Sequence, residues 1–436
     1  MTDRHSRNGA PTGAPLRVLG LAGWLVVPLL LVIHLFDLRR GVTGHPSLLT
    51  AHLVLCALVT LACAPVAWMR RRDLSRQGLL VLGLWGALLT MSVVGVLVTK
   101  DPRIIPVGVA GEHSIQTLAS WRLWPLAGAG VTALAAFALA LATPARERRD
   151  RLWWATWTML LVTPVAGLRT MLARHTARLA TGMGGAAVLH LPLLLCVGVM
   201  VGAAMDEGRS QRVRRASLVG AVLATGEVLA TGSRAGMICL ALFVAALVPV
   251  LWRRHRRAVL GFGLAGLVGV VALLVSVPVF DRLGRATDTT RQVNLHGAMN
   301  ALQDQPLAWI YGVGSGRLWP WAAFDAGLAP VPPTNLMRTT FGVVATNPHS
   351  LYLGTLVELG LVGLGLLVAT LGLIASGLVV VRRLGASWAF WPLVAVVAGF
   401  VAFALDHYLF KNLGVALWWW YVVAMTMGTQ VTTTKQ

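Results

Sequence analysis

The chain has 436 residues, of which 56% are hydrophobic and only 12% are charged, whereas a soluble domain carries about 25% charged residues. This composition excludes an ordinary soluble protein, because only lipid can cover a surface so poor in charge. The formal net charge of +21 would suggest nucleic acid in a soluble protein. Here most arginines stand in short runs between apolar segments, as in membrane proteins, so we expect no nucleic-acid partner.

Apolar segments of about the 20 residues that a membrane-spanning helix needs follow one another along the chain. They lie at 16–36, 47–68, 78–98, 121–143, 152–168, 186–205, 216–232, 235–252, 258–279, 350–381, 388–405 and 413–428. The pattern predicts an all-α integral membrane protein with about twelve transmembrane helices. The predicted parts are a cytoplasmic tail, 1–15, helices 1–9 within 16–279, a periplasmic loop domain, 280–348, helices 10–12 within 349–428, and a second cytoplasmic tail, 429–436.

Basic clusters determine the predicted orientation of these helices. They follow predicted helices 2, 4, 6, 8 and 10, at Arg70–Arg76, Arg146–Arg151, Arg209–Arg215, Arg253–Arg257 and Arg382–Arg383. If the helices alternate in direction, all five clusters and both termini share one side, which the positive-inside rule identifies as the cytoplasm. We therefore predict a multi-pass protein of the bacterial inner membrane with its long loop in the periplasm.

The sequence carries no recognisable metal or cofactor motif. Cys56, Cys63, Cys196 and Cys239 all stand inside apolar stretches, where buried thiols are the default. There is no His-Glu-x-x-His, Cys-x-x-Cys or Walker loop. We expect no metal and no cofactor.

The longest predicted outer segment runs from about 281 to 348 and is mostly polar. Residues 289–305 are expected to form an amphipathic helix and 312–316 a flexible glycine turn, while the prolines that follow argue against regular structure. Basic residues outnumber acidic ones on the predicted outer side. Two readings are open: binding of phosphate or diphosphate groups, or arginines that reach lipid headgroups.

Two residues of the outer face stand out. Arg234 lies at a tight junction between predicted helices 7 and 8, where an arginine is costly unless it is paired. Glu227, seven residues earlier on the same helical face, is a plausible partner, or only a polar group facing the bundle interior. His349 follows Pro348 where the long loop enters predicted helix 10. Such a histidine is either a general base or a structural residue.

Three segments carry a resemblance to a known family. They are Thr231-Gly-Ser-Arg-Ala-Gly236, then Thr289 to Ala298 with Asp304 to Gly316, and Asn347-Pro-His-Ser-Leu-Tyr-Leu353 continuing to Gly363. In this order the chain resembles the O-antigen ligase and polymerase family of integral membrane glycosyltransferases over roughly residues 216–380. Two departures stand out: Ser350 follows the histidine where the family usually has Asn, and Trp309 replaces the first glycine of the turn pattern.

The resemblance implies a GT-C-like helical bundle and a metal-independent reaction. Family members take a glycan from a polyprenyl diphosphate carrier, here undecaprenyl diphosphate, on the periplasmic face. Ligases pass the glycan to the lipid A–core of lipopolysaccharide, and polymerases pass it to another carrier-linked repeat. Membrane lipids surround the protein in either case.

The matching residues suggest a division of roles. Arg234 and Arg291 match the family's arginines and are expected to bind the diphosphate, with Arg285 of the same loop as a third candidate. His349 would be the general base of an inverting transfer, with Ser350 and Glu227 in support. We expect an O-antigen ligase. The alternatives are an O-antigen polymerase or, in a different class, a transporter or flippase, which the small number of ionisable residues inside the predicted helices disfavours.

Overall fold

The computed structural model describes residues 14–36, 46–109, 111, 113–252, 289–325 and 332–427. Predicted helix 9, the Arg253–Arg257 cluster, Arg285 and most of both tails lie outside the described residues. The helices of the first part are α1 (Ala14–Phe36), α2 (Pro46–Met69), α3 (Arg76–Val98), α4 (Ala119–Ala142), α5 (Ala145–Arg174), α6 (Ala186–Met205), α7 (Gln211–Ala230) and α8 (Arg234–Trp252). Those of the second part are α9 (Thr289–Asp304), α10 (Ala308–Tyr311), α11 (Trp321–Asp325), α12 (Leu351–Arg383), α13 (Ser387–Ala398), α14 (Tyr408–Lys411) and α15 (Leu413–Thr426).

Within the described ranges, seven helices are long and apolar enough to cross a membrane. The all-α membrane fold is therefore confirmed, while the total of about twelve spans stays a prediction. Large apolar side chains on the outside of the bundle are exposed, among them Leu61, Leu97 and Val222. Exposed apolar surface of this extent is typical of contact with lipid.

The centre of the bundle is formed by α6 and α15. Almost every side chain of α6 is buried, and all of α15 is buried. A helix that is apolar on every side belongs in a core. The consecutive residues Trp418, Trp419 and Trp420 fill the middle of this core.

The loops that carry predicted cytoplasmic arginine clusters meet on one face of the bundle. Arg70 Nη1 donates to the carbonyl oxygen of Ala142 at 3.2 Å. Arg209 pairs with Asp150 at 2.9 Å. Ser75 Oγ donates to the carbonyl oxygen of Met427 at 2.7 Å. The loops after α2, α4 and α6 and the end of α15 therefore share a face, as alternation of the helices requires.

This arrangement leads to a labelling prediction. Thr334 is exposed and contacts Val107, which follows the C-terminal end of α3, whereas Arg72 precedes the N-terminal end of that helix. The four native cysteines are buried. In spheroplasts an impermeant maleimide should label a Thr334→Cys variant at once, and an Arg72→Cys variant only after lysis. The reverse pattern would overturn the predicted orientation.

A small sheet covers the end of the bundle that the sequence predicts to be the outer one. The antiparallel strands β1 (Arg103–Pro106), β2 (Ile115–Gln116), β3 (Leu336–Thr339) and β4 (Gly342–Ala345) are arranged in the order β2-β1-β3-β4. Ile105 pairs with Arg338, so the loop between α3 and α4 is joined to the long loop. Contrary to our expectation of irregular structure after Pro320, β3 and β4 form a hairpin.

A second apolar core lies beneath this sheet. Its buried residues come from α9, α10, α11, the sheet and the start of α12, and they are Ile104, Ala298, Ala301, Leu302, Ala308, Val313, Leu318, Trp319, Ala323, Phe324, Met337, Phe341, Val344 and Val357. The described parts of the outer segment, 289–325 and 332–348, thus pack around a core of their own, and the predicted helix at 289–305 is found as α9.

The helix α12 is broken near its start. Gly360 has φ 66° and ψ −169°, a conformation that favours glycine. The carbonyl oxygens of Val357 and Glu358, just before the break, accept hydrogen bonds from the backbone N–H groups of Val313 at 2.8 Å and Gly314 at 3.0 Å. The glycine turn at 312–316 is therefore docked onto α12 and is not a free loop.

The break also explains how a helix as long as α12 fits a bilayer. A helix of 33 residues would be roughly 50 Å long, whereas the apolar core of a bilayer is about 30 Å thick. The part after Gly360 is long enough to span the bilayer alone. The part before the break, 351–359, is left to build the outer site.

Candidate functional site

The first motif forms the turn between α7 and α8. Gly232 has φ 57°, which ends α7. Thr231 Oγ1 accepts from the Ser233 backbone N–H at 3.2 Å, and Ser233 Oγ accepts from the Gly236 N–H at 3.3 Å. Ser233 thus caps α8, and Arg234 is the exposed first residue of that helix.

Two further contacts hold this turn in place. Arg178 donates to the carbonyl oxygens of Thr231 at 2.8 Å and Gly232 at 3.2 Å. A Cβ on Gly236 would lie 2.7 Å from the Cβ of His190 on α6, so only glycine permits this close helix contact. In this motif Ser233 therefore caps α8, and Arg234 faces outward. Gly236 allows α8 to pack closely against α6.

Of the two readings of Glu227, the structure agrees with a polar group inside the bundle and not with a partner of Arg234. Its carboxyl group is buried, and neither oxygen accepts a hydrogen bond from any described residue. The reason is the turn at 231–233: α7 ends there, so the seven-residue spacing does not place the two residues on one helical face.

Arg291 lies in the first turn of α9 and is exposed. Its Nη2 donates to the carbonyl oxygen of Leu405 at 3.4 Å. Arg234 and Arg291 therefore both stand at helix N-termini, where backbone N–H groups and the helix dipole add to a positive charge. Arg285, the third arginine candidate, is outside the described residues.

His349 precedes α12 with φ 53° and is half-buried. Its backbone N–H donates to Asn347 Oδ1 at 3.3 Å. Ser350 Oγ accepts from the Leu353 N–H at 3.1 Å and so caps α12. Because Ser and Asn are comparable N-cap residues, the departure from the family pattern at position 350 keeps the local structure.

Asn294 connects the helix of Arg291 to the segment of His349, and sequence reasoning did not identify it. Its side chain is fully buried. Nδ2 donates to the carbonyl oxygen of Asn347 at 2.7 Å, and Oδ1 accepts from Trp319 Nε1 at 3.0 Å and from the Ala345 N–H at 2.9 Å. One amide thus joins α9, β4 and the entry to α12.

We expect Asn294→Ala to destabilise the protein and to reduce its activity. Each buried partner left without a hydrogen bond costs about 1–3 kcal/mol, and three partners are affected. Thermal unfolding in detergent should occur at a lower temperature than in the wild type. The control is Asn300→Ala on the same helix, which loses only a half-buried bond to Phe341. Equal unfolding temperatures for the two variants would contradict the linking role of Asn294.

A second missed group lies between α13 and α15. Asp406 and His407 are buried, and Asp406 Oδ1 accepts from the His407 N–H at 2.7 Å. The hydroxyl of Tyr408 donates to the carbonyl oxygen of Ala187 at 3.1 Å. Burial, together with the charge of Lys411, lowers the pKa of His407 to about 3, so its ring is neutral. The signal in the sequence is a polar run between two apolar segments.

The segment 399–408 connects the three motifs. Leu405 accepts from Arg291, and the Nε2 atom of His407 lies 3.5 Å from where a Cβ on Gly354 of α12 would stand. Tyr408 lies 3.5 Å from Nε2 of His190, the residue against which Gly236 packs. The segments that carry Arg234, Arg291 and His349 therefore all border the segment 399–408, which we call the hub.

Comparison with known proteins bears on the family and not on the geometry of the site. Residues 219–368 match the family model for O-antigen ligase. This range contains all three motifs, and the resemblance to the O-antigen ligase and polymerase family is confirmed over it. No curated protein matches the chain.

Proposed function

We propose that this membrane protein, whose residues 219–368 match the O-antigen ligase family, is an O-antigen ligase. It would transfer an O-antigen glycan from undecaprenyl diphosphate to the lipid A–core of lipopolysaccharide. We place the reaction on the periplasmic side of the inner membrane, where the region 280–348 forms the loop domain. The observation that carries the proposal is that the matched region contains Arg234, Arg291 and His349 and that their segments border one hub.

In the proposed reaction the two arginines bind the diphosphate. Negative charge develops on the diphosphate as the bond to the anomeric carbon breaks, and positioned positive groups stabilise it. A guanidinium suits this task because it can contact two phosphate oxygens at once. Arg234 and Arg291 are both exposed, so a ligand at the outer surface can reach them. Arg285 remains a third candidate for this role.

His349 acts as the general base. The acceptor hydroxyl oxygen attacks the anomeric carbon, its proton passes to the imidazole of His349, and the electron pair of the broken bond leaves with the diphosphate. One displacement of this kind inverts the anomeric centre. The ring is half-buried at the start of α12, where a base is shielded from bulk water but open to substrate.

The proposed reaction uses no metal. Among the described residues, no group of three or more His, Cys, Asp or Glu side chains could hold a metal ion. The positive charge that transfer requires is assigned to arginines instead. Turnover that is lost in EDTA and restored by magnesium or manganese would contradict this assignment.

The alternative within the family is an O-antigen polymerase, which differs only in its acceptor. Both can be tested by reconstituting the purified chain in proteoliposomes with carrier-linked glycan. One arm adds lipid A–core, and the other adds further carrier-linked repeats only. Glycan attached to lipid A–core supports the ligase, longer carrier-linked chains support the polymerase, and movement of unchanged carrier across the bilayer without either product supports a flippase.

A further inference from the structure

A pocket opens between α3, α4, α12 and the segment after the glycine turn, and the second and third motifs contribute Gly316 and Glu358 to its wall. Its walls include the aromatic side chains of Trp121 and Trp321 and the polar side chains of Arg122, Glu358 and His407. Gly354 of α12 also lines this pocket. Aromatic faces combined with a few fixed polar groups are typical of a site that binds a small polar ligand with apolar faces.

The charge of Arg122 is already balanced inside the protein. Its side chain is 2% exposed and pairs with Asp101 at 2.8 Å. The other terminal nitrogen donates to Thr99 Oγ1 at 3.1 Å and to the carbonyl oxygen of Ser315 at 3.4 Å. A free anion would thus meet an engaged guanidinium and the nearby acid Glu358. The pocket therefore favours a neutral ligand over a phosphate.

The side chain of Glu358 is buried in the pocket wall. Its carboxyl group lies close enough to the backbone N–H groups of Gly316 and Trp319 to interact with them. Gly316 has φ 67°, and a Cβ there would lie 2.9 Å from the Cγ of Arg122. The glycine turn thus brings backbone donors to Glu358 and packs on Arg122 at the same time.

His407 is a lining residue of the pocket and carries a buried polar atom. The residue is buried, and its Nδ1 has no hydrogen-bond partner among the described residues. The ring stacks on Phe410 with centroids 5.1 Å apart and meets Trp321 edge-on at 6.2 Å. A buried polar atom without a partner is costly, and a ligand hydroxyl would supply the missing bond. An acyl chain has no hydrogen-bonding group and would leave this atom without a partner.

We propose that this pocket binds one neutral sugar unit of the glycan substrates, which stacks on Trp121 and Trp321 and gives hydroxyl groups to Glu358 and His407. The inference rests on the proposed function and adds a saccharide subsite to it. The pocket adjoins the proposed base, because Pro348, next to His349, lies 3.3 Å from where a Cβ on Gly354 would stand. The sugar can come from the donor glycan or from the acceptor core.

The test measures binding of oligosaccharides that lack the carrier and lipid A. Purified chain in detergent is dialysed against two labelled probes, the O-antigen repeat and the core oligosaccharide, each released by mild acid. The variants are Trp121→Ala and Trp321→Ala, whose parent side chains are both half-buried. The matched control is Trp124→Ala, one turn from Trp121 on α4, whose side chain is 48% exposed and does not line the pocket.

We expect the wild type to bind one of the two probes, and both pocket variants to bind it at least about tenfold more weakly, which is a difference of roughly 1.4 kcal/mol. Trp124→Ala should bind that probe like the wild type. Binding of the O-antigen repeat would identify the donor as the source of the sugar, and binding of the core oligosaccharide would identify the acceptor. Equal binding by pocket variants and control, or no binding of either probe to the wild type, would overturn the proposal.

This assay does not depend on turnover, so the two hypotheses fail separately. Wild-type protein that binds a probe through Trp121 and Trp321 but transfers no glycan would contradict the proposed function and leave the subsite intact. Protein that transfers glycan with unchanged KM values in both pocket variants would contradict the subsite and leave the function intact.

Discussion

Replacing His349 with alanine is expected to lower glycan transfer by roughly 10²–10⁴-fold, the usual contribution of a positioned general base. The backbone at this position adds a second consideration. His349 has φ 53°, which alanine adopts at a cost but asparagine tolerates. His349→Asn therefore removes the base with less strain. If His349 is the base, both variants should lose transfer to a similar degree.

Donor binding distinguishes a base from a structural histidine. Both variants should still bind carrier-linked glycan, because the arginines remain. His175→Ala is the matched control, since His175 is an exposed histidine with φ 49° at the end of α5, and it should transfer glycan normally. Single-turnover transfer and donor binding would be measured side by side. Near-normal transfer by His349→Asn would exclude His349 as the base.

The same role predicts a dependence on pH. Wild-type transfer should fall as the pH is lowered, because a protonated imidazole cannot accept the hydroxyl proton. The neighbouring His407 does not confuse this measurement: its pKa is lowered to about 3, so it stays neutral at any pH well above that value. The acid limb of the wild-type profile should be absent from the residual activity of His349→Asn.

Replacing Arg234 or Arg291 with alanine is expected to abolish transfer in practice, with a loss of about 10²–10³-fold for each group that stabilises developing charge. Lysine should restore little activity, because an ammonium group lacks the two-pronged geometry of a guanidinium. Both side chains are exposed, so the variants should reach the membrane in normal amounts. Transfer and donor binding should be lost together, in contrast to the His349 variants.

The matched control for the arginines is Arg103→Ala. Arg103 is exposed on β1 of the outer sheet and has the same charge, so its loss changes the net charge by the same amount. It should retain transfer. Near-normal ligation by both Arg234→Ala and Arg291→Ala would refute the diphosphate role. An equal loss in Arg103→Ala would mean that overall surface charge matters and not specific contacts.

Local features of the chain were sufficient to predict the helices and their relative orientation. The apolar segment predicted at 186–205 is α6 (Ala186–Met205), and the amphipathic helix predicted at 289–305 is α9 (Thr289–Asp304). The loops after α2 and α4 share a face, as their arginines indicated. These predictions succeed because hydropathy and loop charge act on each segment separately. The motif at Arg234 was also recognisable, because its capping and packing involve near neighbours in the chain.

The site itself depended on contacts between residues far apart in the sequence. Asn294 meets Asn347, and β1 pairs with β3 across more than 200 residues. No local pattern encodes such pairs, because buried polar groups find partners wherever the chain returns. The structure also excludes a pair between Glu227 and Arg234. That reading assumed that α7 continues through Gly232 as one helix, whereas α7 ends at Ala230.

By itself, therefore, the sequence determined a helical membrane protein, the common face of its arginine-rich loops and the motifs that resemble the O-antigen ligase family. Only the tertiary structure decided that α12 breaks at Gly360, that the glycine turn docks onto this break, and that Trp121 and Glu358 face one pocket. The physical reason is that burial in lipid is a property of each segment, whereas a positive φ, a close helix contact or a shared hydrogen bond is imposed by the neighbours that packing brings together.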